Sequence, residues 1–151
     1  MADIGQQAPD FRLKASNDSE IALSDYRNQK NVVLVFYPLD FSPVCSNQLP
    51  EYSSRKADIE ANDSVILGIN RDSVYAHKAW AQAFGIDVPL LADMTGEVAR
   101  SYGVYIEAAA ISTRAVFIID KAGVIRAKHV ESAPGEFTYH SDDILKDLAA
   151  L

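Results

Sequence analysis

Two continuous apolar runs dominate the hydrophobic pattern of the chain, at 31–37 and 64–70. Runs of this length without polar alternation are typical of strands buried on both faces of a parallel sheet. Shorter strand-like runs occur at 10–14, 20–23, 89–92, 113–120 and 124–130. The first two of these flank a polar turn and predict an N-terminal hairpin, and the last two are joined by a short Gly-containing hairpin connection.

Helical periodicity fills the intervals between these runs. A stripe of apolar or long-stemmed residues predicts a helix over 43–61, which Pro50 should kink; a helix that ends at Leu49 is the alternative. Asp72 or Ser73 should cap a helix that ends at Gly85, and further helices are predicted for 95–101, with Thr95 as the cap, and 140–151. Strands alternating with helices, then a late hairpin and a final helix, predict an α/β fold. We expect a thioredoxin-like three-layer sandwich, with a central mixed sheet flanked by helices and the hairpin as an N-terminal extension.

Length and charge restrict the function classes. The 151 residues suit a single domain, 1–151, and no apolar run approaches the ~20 residues that a membrane helix needs. The first residues lack the features of a secretory signal, so we expect a soluble cytoplasmic protein. A net charge of -7 argues against nucleic acid or anionic membranes as partners.

The three histidines have no metal-ligand spacing, so no metal is predicted. His77 is predicted to be a structural residue, and Trp80 and Phe84 are predicted to lie in the core.

The single cysteine, Cys45, is the residue where chemistry is expected. Ser42 is a good N-cap residue and Pro43 suits a first helical turn, so Cys45 should lie in that turn. Unpaired N–H groups and the helix dipole favour an anion there, and hence the thiolate. The alternative is that Cys45 is a small buried hydrophobe.

The spacing Pro38-x-x-x-Ser42-x-x-Cys45 resembles the active-site signature of the peroxiredoxins, thiol peroxidases built on a thioredoxin-like fold. The one-cysteine, AhpE-like branch is the most similar. Other matches occur in the same order along the chain, at 5–11, 72–80, 89–93, 102–104 and Arg114. The resemblance implies that Cys45 is the peroxidatic cysteine and that Pro38, Ser42 and Arg114 support it.

Elementary chemistry is consistent with these roles. Arg114 supplies a permanent positive charge and a rigid fork of donors, which would hold Cys45 ionised and orient a peroxide. Ser42 can donate or accept beside the sulfur, and the Pro38 ring should limit water access. Two positions depart from the common pattern: serine stands at 42 where threonine is more frequent, and Gln48 stands where the family usually has glutamate.

The absence of a second cysteine determines the expected reductant. Attack on a peroxide leaves a sulfenic acid, which normally condenses with another thiol. The reductant should therefore be external, either a low-molecular-weight thiol or a protein of the thioredoxin, glutaredoxin or mycoredoxin kind. Hydrogen peroxide, alkyl hydroperoxides and peroxynitrite are the expected substrates, in antioxidant defence and without a cofactor.

Alternatives of other classes remain open. A Cys-His hydrolase could use His129 or His77 as base, and a non-catalytic thioredoxin-like interaction module would use none of these groups. Relatives pair through the region around Phe41, Pro43 and the apolar segment 102–111, which suggests a homodimer; the segment could instead fold back onto its own core.

Overall fold

The architecture is that of a computed structural model, which describes residues 2–151. These residues form nine strands, five helices and a 3-10 turn at Leu23–Tyr26. The strands are β1 (Arg12–Lys14), β2 (Glu20–Ala22), β3 (Asn31–Phe36), β4 (Ser64–Asn70), β5 (Leu90–Ala92), β6 (Tyr105–Ile106), β7 (Ile111–Ser112), β8 (Ala115–Ile119) and β9 (Ile125–Val130). The helices are α1 (Cys45–Ser54), α2 (Lys56–Glu60), α3 (Val74–Phe84), α4 (Glu97–Ser101) and α5 (Ser141–Ala149).

The central sheet is mixed, in the order β5-β4-β3-β8-β9. Strands β3, β4 and β5 run parallel, whereas β8 is antiparallel to β3, and β9 to β8. The two strands predicted from the continuous apolar runs, β3 and β4, are neighbours near its middle. Strands β1 and β2 pair separately as the predicted N-terminal hairpin.

Strand β3 shows why the sheet is covered on both sides. Its residues are buried on both faces, because alternate side chains enter two different cores. One core includes Leu34 together with Val98 of α4, and the other includes Val35 together with Trp80 of α3 and Ile144 of α5. The predicted three-layer α/β arrangement is therefore confirmed.

The long helix predicted for 43–61 is two helices. Pro50 lies inside α1 and does not end it, so the shorter alternative that stops at Leu49 is wrong. The interruption lies five residues later at Arg55, whose φ of -108° and ψ of 12° separate α1 from α2. The apolar stripe itself is confirmed, because Cys45, Leu49 and Ile59 have no exposed surface.

The predicted limits of α3 are confirmed. The Ser73 hydroxyl accepts from the Ala76 N–H at 3.2 Å, and Gly85 adopts the left-handed conformation that ends many helices, with φ of 65°. The sequence predicts Phe84 in the core, but 41% of this residue is exposed. Four-residue spacing places it on the same side of α3 as the buried Trp80, but at the last turn, beyond the edge of the core.

Thr95 is not the cap residue of α4, contrary to the sequence prediction, although its hydroxyl accepts a long hydrogen bond from the Glu97 N–H at 3.4 Å. The residue in the cap position is Gly96, and the buried Asp93 carboxylate accepts from the N–H groups of Val98 and Ala99 at 3.2 and 2.9 Å. A carboxylate reaches deeper into the first turn than the Thr95 hydroxyl and also complements the positive end of the helix.

The apolar segment 102–111 folds partly onto its own core. Tyr102 and Val104 are buried, and the rest forms the small β6–β7 hairpin. Within residues 2–151, none of the helices combines the length and the apolar character that crossing a bilayer requires.

Candidate active site

Cys45 lies at the junction between the central strand and the first helix. Strand β3 ends at Phe36, a loop follows over 37–44, and Cys45 is the first residue of α1. The placement of the cysteine in the first turn is therefore confirmed. Its side chain is completely buried, in the core that α1, α3 and α5 form over the sheet.

Ser42 does not cap this helix, which corrects the sequence prediction. Val44 occupies the cap position, and no side chain caps the helix; the N–H groups of Asn47 and Gln48, expected to be unpaired, both donate to the Val44 carbonyl at 3.1 and 3.0 Å. The Ser42 hydroxyl instead donates to the Leu39 carbonyl at 2.8 Å, and the Ser42 carbonyl accepts from the Ser46 N–H at 2.9 Å. The Ser42 side chain therefore stabilises the turn between Leu39 and Ser42, in the loop before Cys45. Pro38 is buried in the same loop.

Sheet register explains how Arg114 reaches a cysteine 69 positions away. Strand β8 begins at Ala115, which is paired with Phe36 at the end of β3. Arg114 therefore lies beside the start of the loop that leads to Cys45. Its Nη1 is 3.1 Å from the Cys45 Sγ, and only 2% of the residue is exposed. The structure brings these two predicted site residues into contact.

The other contacts of the guanidinium are to neutral acceptors. Nη1 also donates to Gln48 Oε1 at 2.5 Å, and Nη2 donates to the Pro134 carbonyl at 2.8 Å. Within residues 2–151, Nε of Arg114 is the one buried side-chain nitrogen or oxygen that has no hydrogen-bond partner. A buried cation is costly without an anion, so the Cys45 thiolate is the group here that can balance the charge of Arg114.

A buried polar cluster holds the loop before Cys45 in place. Asp40 accepts from the Tyr37 hydroxyl at 2.7 Å and lies 2.6 Å from Nδ1 of His77. Nε2 of His77 is 2.9 Å from the Leu91 carbonyl, and the Asp40 N–H donates to Asp72 Oδ2 at 2.8 Å. His77 is therefore a satisfied structural residue, as predicted. Burial and the nearby Asp40 raise the pKa of Tyr37 well above its usual range, so this phenol remains a donor.

Trp80 is placed to report on the state of the site. Its ring stacks on Tyr37, with centroids 5.3 Å apart, and its Nε1 donates to the Ser46 hydroxyl at 3.1 Å. Ser46 is the residue directly after Cys45, and Trp80 is the only tryptophan of the chain. Its fluorescence should therefore respond to changes at the sulfur.

The histidines considered as a base for a hydrolase do not contact the cysteine. Both ring nitrogens of His77 are engaged by Asp40 and Leu91. His129 Nε2 lies 3.2 Å from Glu131 Oε2 and 3.3 Å from the Thr138 hydroxyl. Among residues 2–151, the polar contact to the Cys45 sulfur comes from Arg114. The geometry does not support a Cys-His pair.

Three further contributors to the site could not be found from sequence. The Pro134 carbonyl bonds Arg114, the Tyr52 hydroxyl lies 3.4 Å from Gln48 Nε2, and Glu131 orders the segment that carries Pro134. Tyr52 and Glu131 lie in no short motif, and a backbone carbonyl has no sequence signature. For Tyr52, the apolar stripe of the predicted helix indicated burial, but it did not indicate a contact with Gln48.

Comparison of the sequence with known proteins identifies relatives along most of its length. The AhpC/TSA family matches residues 4–128. Alkyl hydroperoxide reductase E of Mycobacterium tuberculosis is 38% identical over 138 residues, which cover 90% of this chain and 90% of that protein.

Solved structures show the same fold. A crystal structure of Enterococcus faecalis AhpC has a TM-score of 0.91 and 31% sequence identity, and the match covers 99% of this chain and 92% of that one. The reduced 2-Cys peroxiredoxin of Plasmodium vivax has a TM-score of 0.90 and 30% identity, covering 97% and 80%. The predicted thioredoxin-like arrangement is thereby confirmed.

Proposed function

Because the chain belongs to the AhpC/TSA family, the thiol peroxidases called peroxiredoxins, we propose that it reduces peroxides through a one-cysteine cycle at Cys45. The observation that carries this proposal is the 3.1 Å contact between Arg114 Nη1 and Cys45 Sγ at the start of α1. A thiolate is the nucleophile, and here a guanidinium and the first turn of a helix both favour it.

The unpaired Nε–H of Arg114 supports a second role for this residue. A buried donor without a partner requires an explanation, and a peroxide oxygen beside the sulfur would supply the acceptor. Donors aimed at the oxygen where charge develops lower the barrier for its departure. Arg114 would thus stabilise the thiolate before the reaction and the leaving oxygen during it.

The Cys45 thiolate attacks one peroxide oxygen, and the S–O bond forms as the O–O bond breaks. The other oxygen keeps the electron pair of the broken bond. With a proton from the peroxide itself or from solvent it leaves as water or alcohol, and in the case of peroxynitrite the leaving group is nitrite. The resulting sulfenic acid reacts with an external thiol to form a mixed disulfide and water. A second thiol then releases Cys45 and carries away the oxidising equivalents as a disulfide.

Ser42 and Pro38 act through the loop in this scheme. The Ser42 hydroxyl is bonded to Leu39, so we assign it the role of fixing the turn before Cys45, while Pro38 covers the site. Cys45 has no exposed surface, so a peroxide can reach it only after the residues that cover it move. Hydrogen peroxide, alkyl hydroperoxides and peroxynitrite are the proposed substrates.

Several features bear on partners and location. With one cysteine in the chain, the proposed reductant is a low-molecular-weight thiol or a thioredoxin-, glutaredoxin- or mycoredoxin-type protein. The free thiol suits a reducing compartment, and we propose the cytoplasm. Exposed apolar side chains would be covered in the proposed homodimer: Leu39 and Phe41 in the loop, and Phe84, whose ring lies against that of Phe41. Light scattering that gives the mass of one chain at micromolar concentration would exclude the dimer.

Single-turnover kinetics test the peroxidase. Without reductant, the wild-type protein should consume one equivalent of peroxide per chain, and its Trp80 fluorescence should change. Dimedone should then react with the sulfenic acid formed at Cys45. Cys45→Ser should do none of these. Added thiol should restore turnover in the wild type only. Sustained turnover of the wild type without any thiol, or equal consumption by Cys45→Ser, would contradict the one-cysteine cycle.

A further inference from the structure

The segment between β9 and α5, residues 132–139, contacts the guanidinium of Arg114. Its contribution is the Pro134 carbonyl, which accepts from Nη2 at 2.8 Å. The other two acceptors of the guanidinium, Cys45 Sγ and Gln48 Oε1, both contact Nη1. The orientation of the planar fork about the sulfur therefore depends on where the 132–139 segment holds Pro134.

Glu131 closes this segment into a loop. Its Oε2 accepts from the N–H groups of Thr138 and Tyr139 at 2.7 and 3.2 Å, and its Oε1 accepts from the Thr138 hydroxyl at 2.8 Å. The carboxylate thus joins the residue before the segment to the last two residues of it. Only 6% of Glu131 is exposed, so these charge-assisted bonds lie largely out of water.

The closed loop is attached to the site at both ends. At the beginning, the Glu131 N–H donates to the Arg114 carbonyl at 2.9 Å. At the end, the Tyr139 carbonyl accepts from the Tyr52 hydroxyl, and the Tyr52 oxygen also accepts from Gln48 Nε2 at 3.4 Å. Gln48 contacts Arg114 in turn. The contacts therefore leave the Arg114 guanidinium at the 132–139 segment and return to it through Tyr52 and Gln48.

We propose that Glu131 is a positioning residue of the active site, which holds the Pro134 carbonyl against Arg114 and so orients the guanidinium towards the Cys45 sulfur. The inference rests on the proposed function and extends it to a residue that does not touch the reacting atoms. An acceptor with two negative oxygens is needed, because three donors of Thr138 and Tyr139 converge on it and Nε2 of His129 also lies 3.2 Å from Oε2. Glutamine keeps the shape but turns an N–H₂ group towards one set of these donors.

Glu131→Gln tests the proposal, with Glu136→Gln as the matched control. Glu136 lies in the same segment, is exposed, and accepts from the Ser132 hydroxyl. The control therefore removes the same charge without opening the loop. Three properties are measured for each protein: hydrogen exchange of the Thr138 and Tyr139 amides, the pH profile of Cys45 alkylation by iodoacetamide, and the rate constant of the Trp80 fluorescence change after mixing with hydrogen peroxide.

In the Glu131→Gln protein the amides of Thr138 and Tyr139 should exchange faster, and alkylation of Cys45 should require a higher pH. Its reaction with peroxide should be between about tenfold and a hundredfold slower, as expected for a misplaced catalytic group. Glu136→Gln should match the wild type. Faster exchange in Glu131→Gln with unchanged alkylation and peroxide rates would overturn the proposal, as would an equal loss in Glu136→Gln.

Two further outcomes are distinguishable. If the wild type does not consume peroxide, the proposed function fails, whereas an alkylation difference between the two variants still supports the positioning role. If Glu131→Gln does not fold by circular dichroism, Thr138→Val, which removes one of the three bonds, takes its place. A Thr138→Val protein that matches the wild type in all three measurements overturns the proposal.

Discussion

Arg114 Nη1 lies 3.1 Å from Cys45 Sγ, and no carboxylate is among the hydrogen-bond partners of this guanidinium within residues 2–151. Its other partners, Gln48 and Pro134, offer neutral oxygens. A buried cation surrounded in this way favours a negative charge on the one partner that can carry it. The thiolate and the guanidinium therefore stabilise each other.

Replacement of Arg114 should slow the reaction with peroxide. Arg114→Ala removes the cation and the donors, so the rate constant of the Trp80 fluorescence change should fall by at least about a hundredfold. Arg114→Lys keeps the charge but loses the fork and should fall between the wild type and alanine. Arg126→Ala, which removes an exposed arginine paired with Asp120, is the control. A rate for Arg114→Ala within a factor of two of the wild type would be incompatible with the assigned role.

Gln48→Glu should make the thiolate less favourable. The new carboxylate would bind the same Nη1 that contacts the sulfur and would place a second negative charge beside it. We expect iodoacetamide to alkylate Cys45 only at higher pH than in the wild type. Gln29→Glu adds the same charge at an exposed position and should leave the profile unchanged. A shift of the Gln48→Glu profile to lower pH would refute this charge argument.

Glu131 should make the fold sensitive to acid. Burial alone would raise the pKa of Glu131, but hydrogen bonds from Thr138 and Tyr139, with a smaller contribution from His129 beside Oε2, outweigh it and place the pKa below its ordinary value of 4.5. A lowered pKa means that the unfolded chain binds the proton more tightly. The stabilisation from Glu131 is therefore fully present above 4.5 and is lost as the pH falls through the folded-state pKa.

Urea denaturation at a series of pH values measures this effect. The free energy of unfolding of the wild type should fall more steeply than that of Glu131→Gln as the pH is lowered below 4.5, because the glutamine variant lacks the titrating group. Parallel curves for the two proteins would show that Glu131 contributes nothing to the pH dependence.

The buried Asp40 should be important for stability. Its side chain is 2% exposed, that of His77 is fully buried, and Asp40 also accepts from Tyr37. Asp40→Asn leaves these partners without a carboxylate, so we expect the free energy of unfolding to fall by about 3 kcal/mol. The control is Asp87→Asn, which alters an exposed ion pair with Lys56 and should change stability by less than about 0.5 kcal/mol. Equal effects of the two substitutions would contradict the stabilising role assigned to the Asp40 carboxylate.

Features of the fold that depend on neighbouring residues could be predicted from the residues alone. The apolar runs identified β3 and β4, Ser73 and Gly85 marked the limits of α3, and the position of Cys45 after a Pro-containing loop placed it in a first helical turn. Short-range rules suffice for these features, because backbone preferences and periodicity act over a few residues.

Contacts between distant residues could be identified only in the folded protein. Arg114 could be named from the resemblance, but its bonds to Gln48 and Pro134 span 66 and 20 positions. The Asp40–His77 pair, the closure of a loop by Glu131 and the exposure of Phe84 at the edge of the core also have no local signature. They arise because sheet register and helix packing bring separate segments together. A buried polar group then bonds whichever partner the fold places beside it.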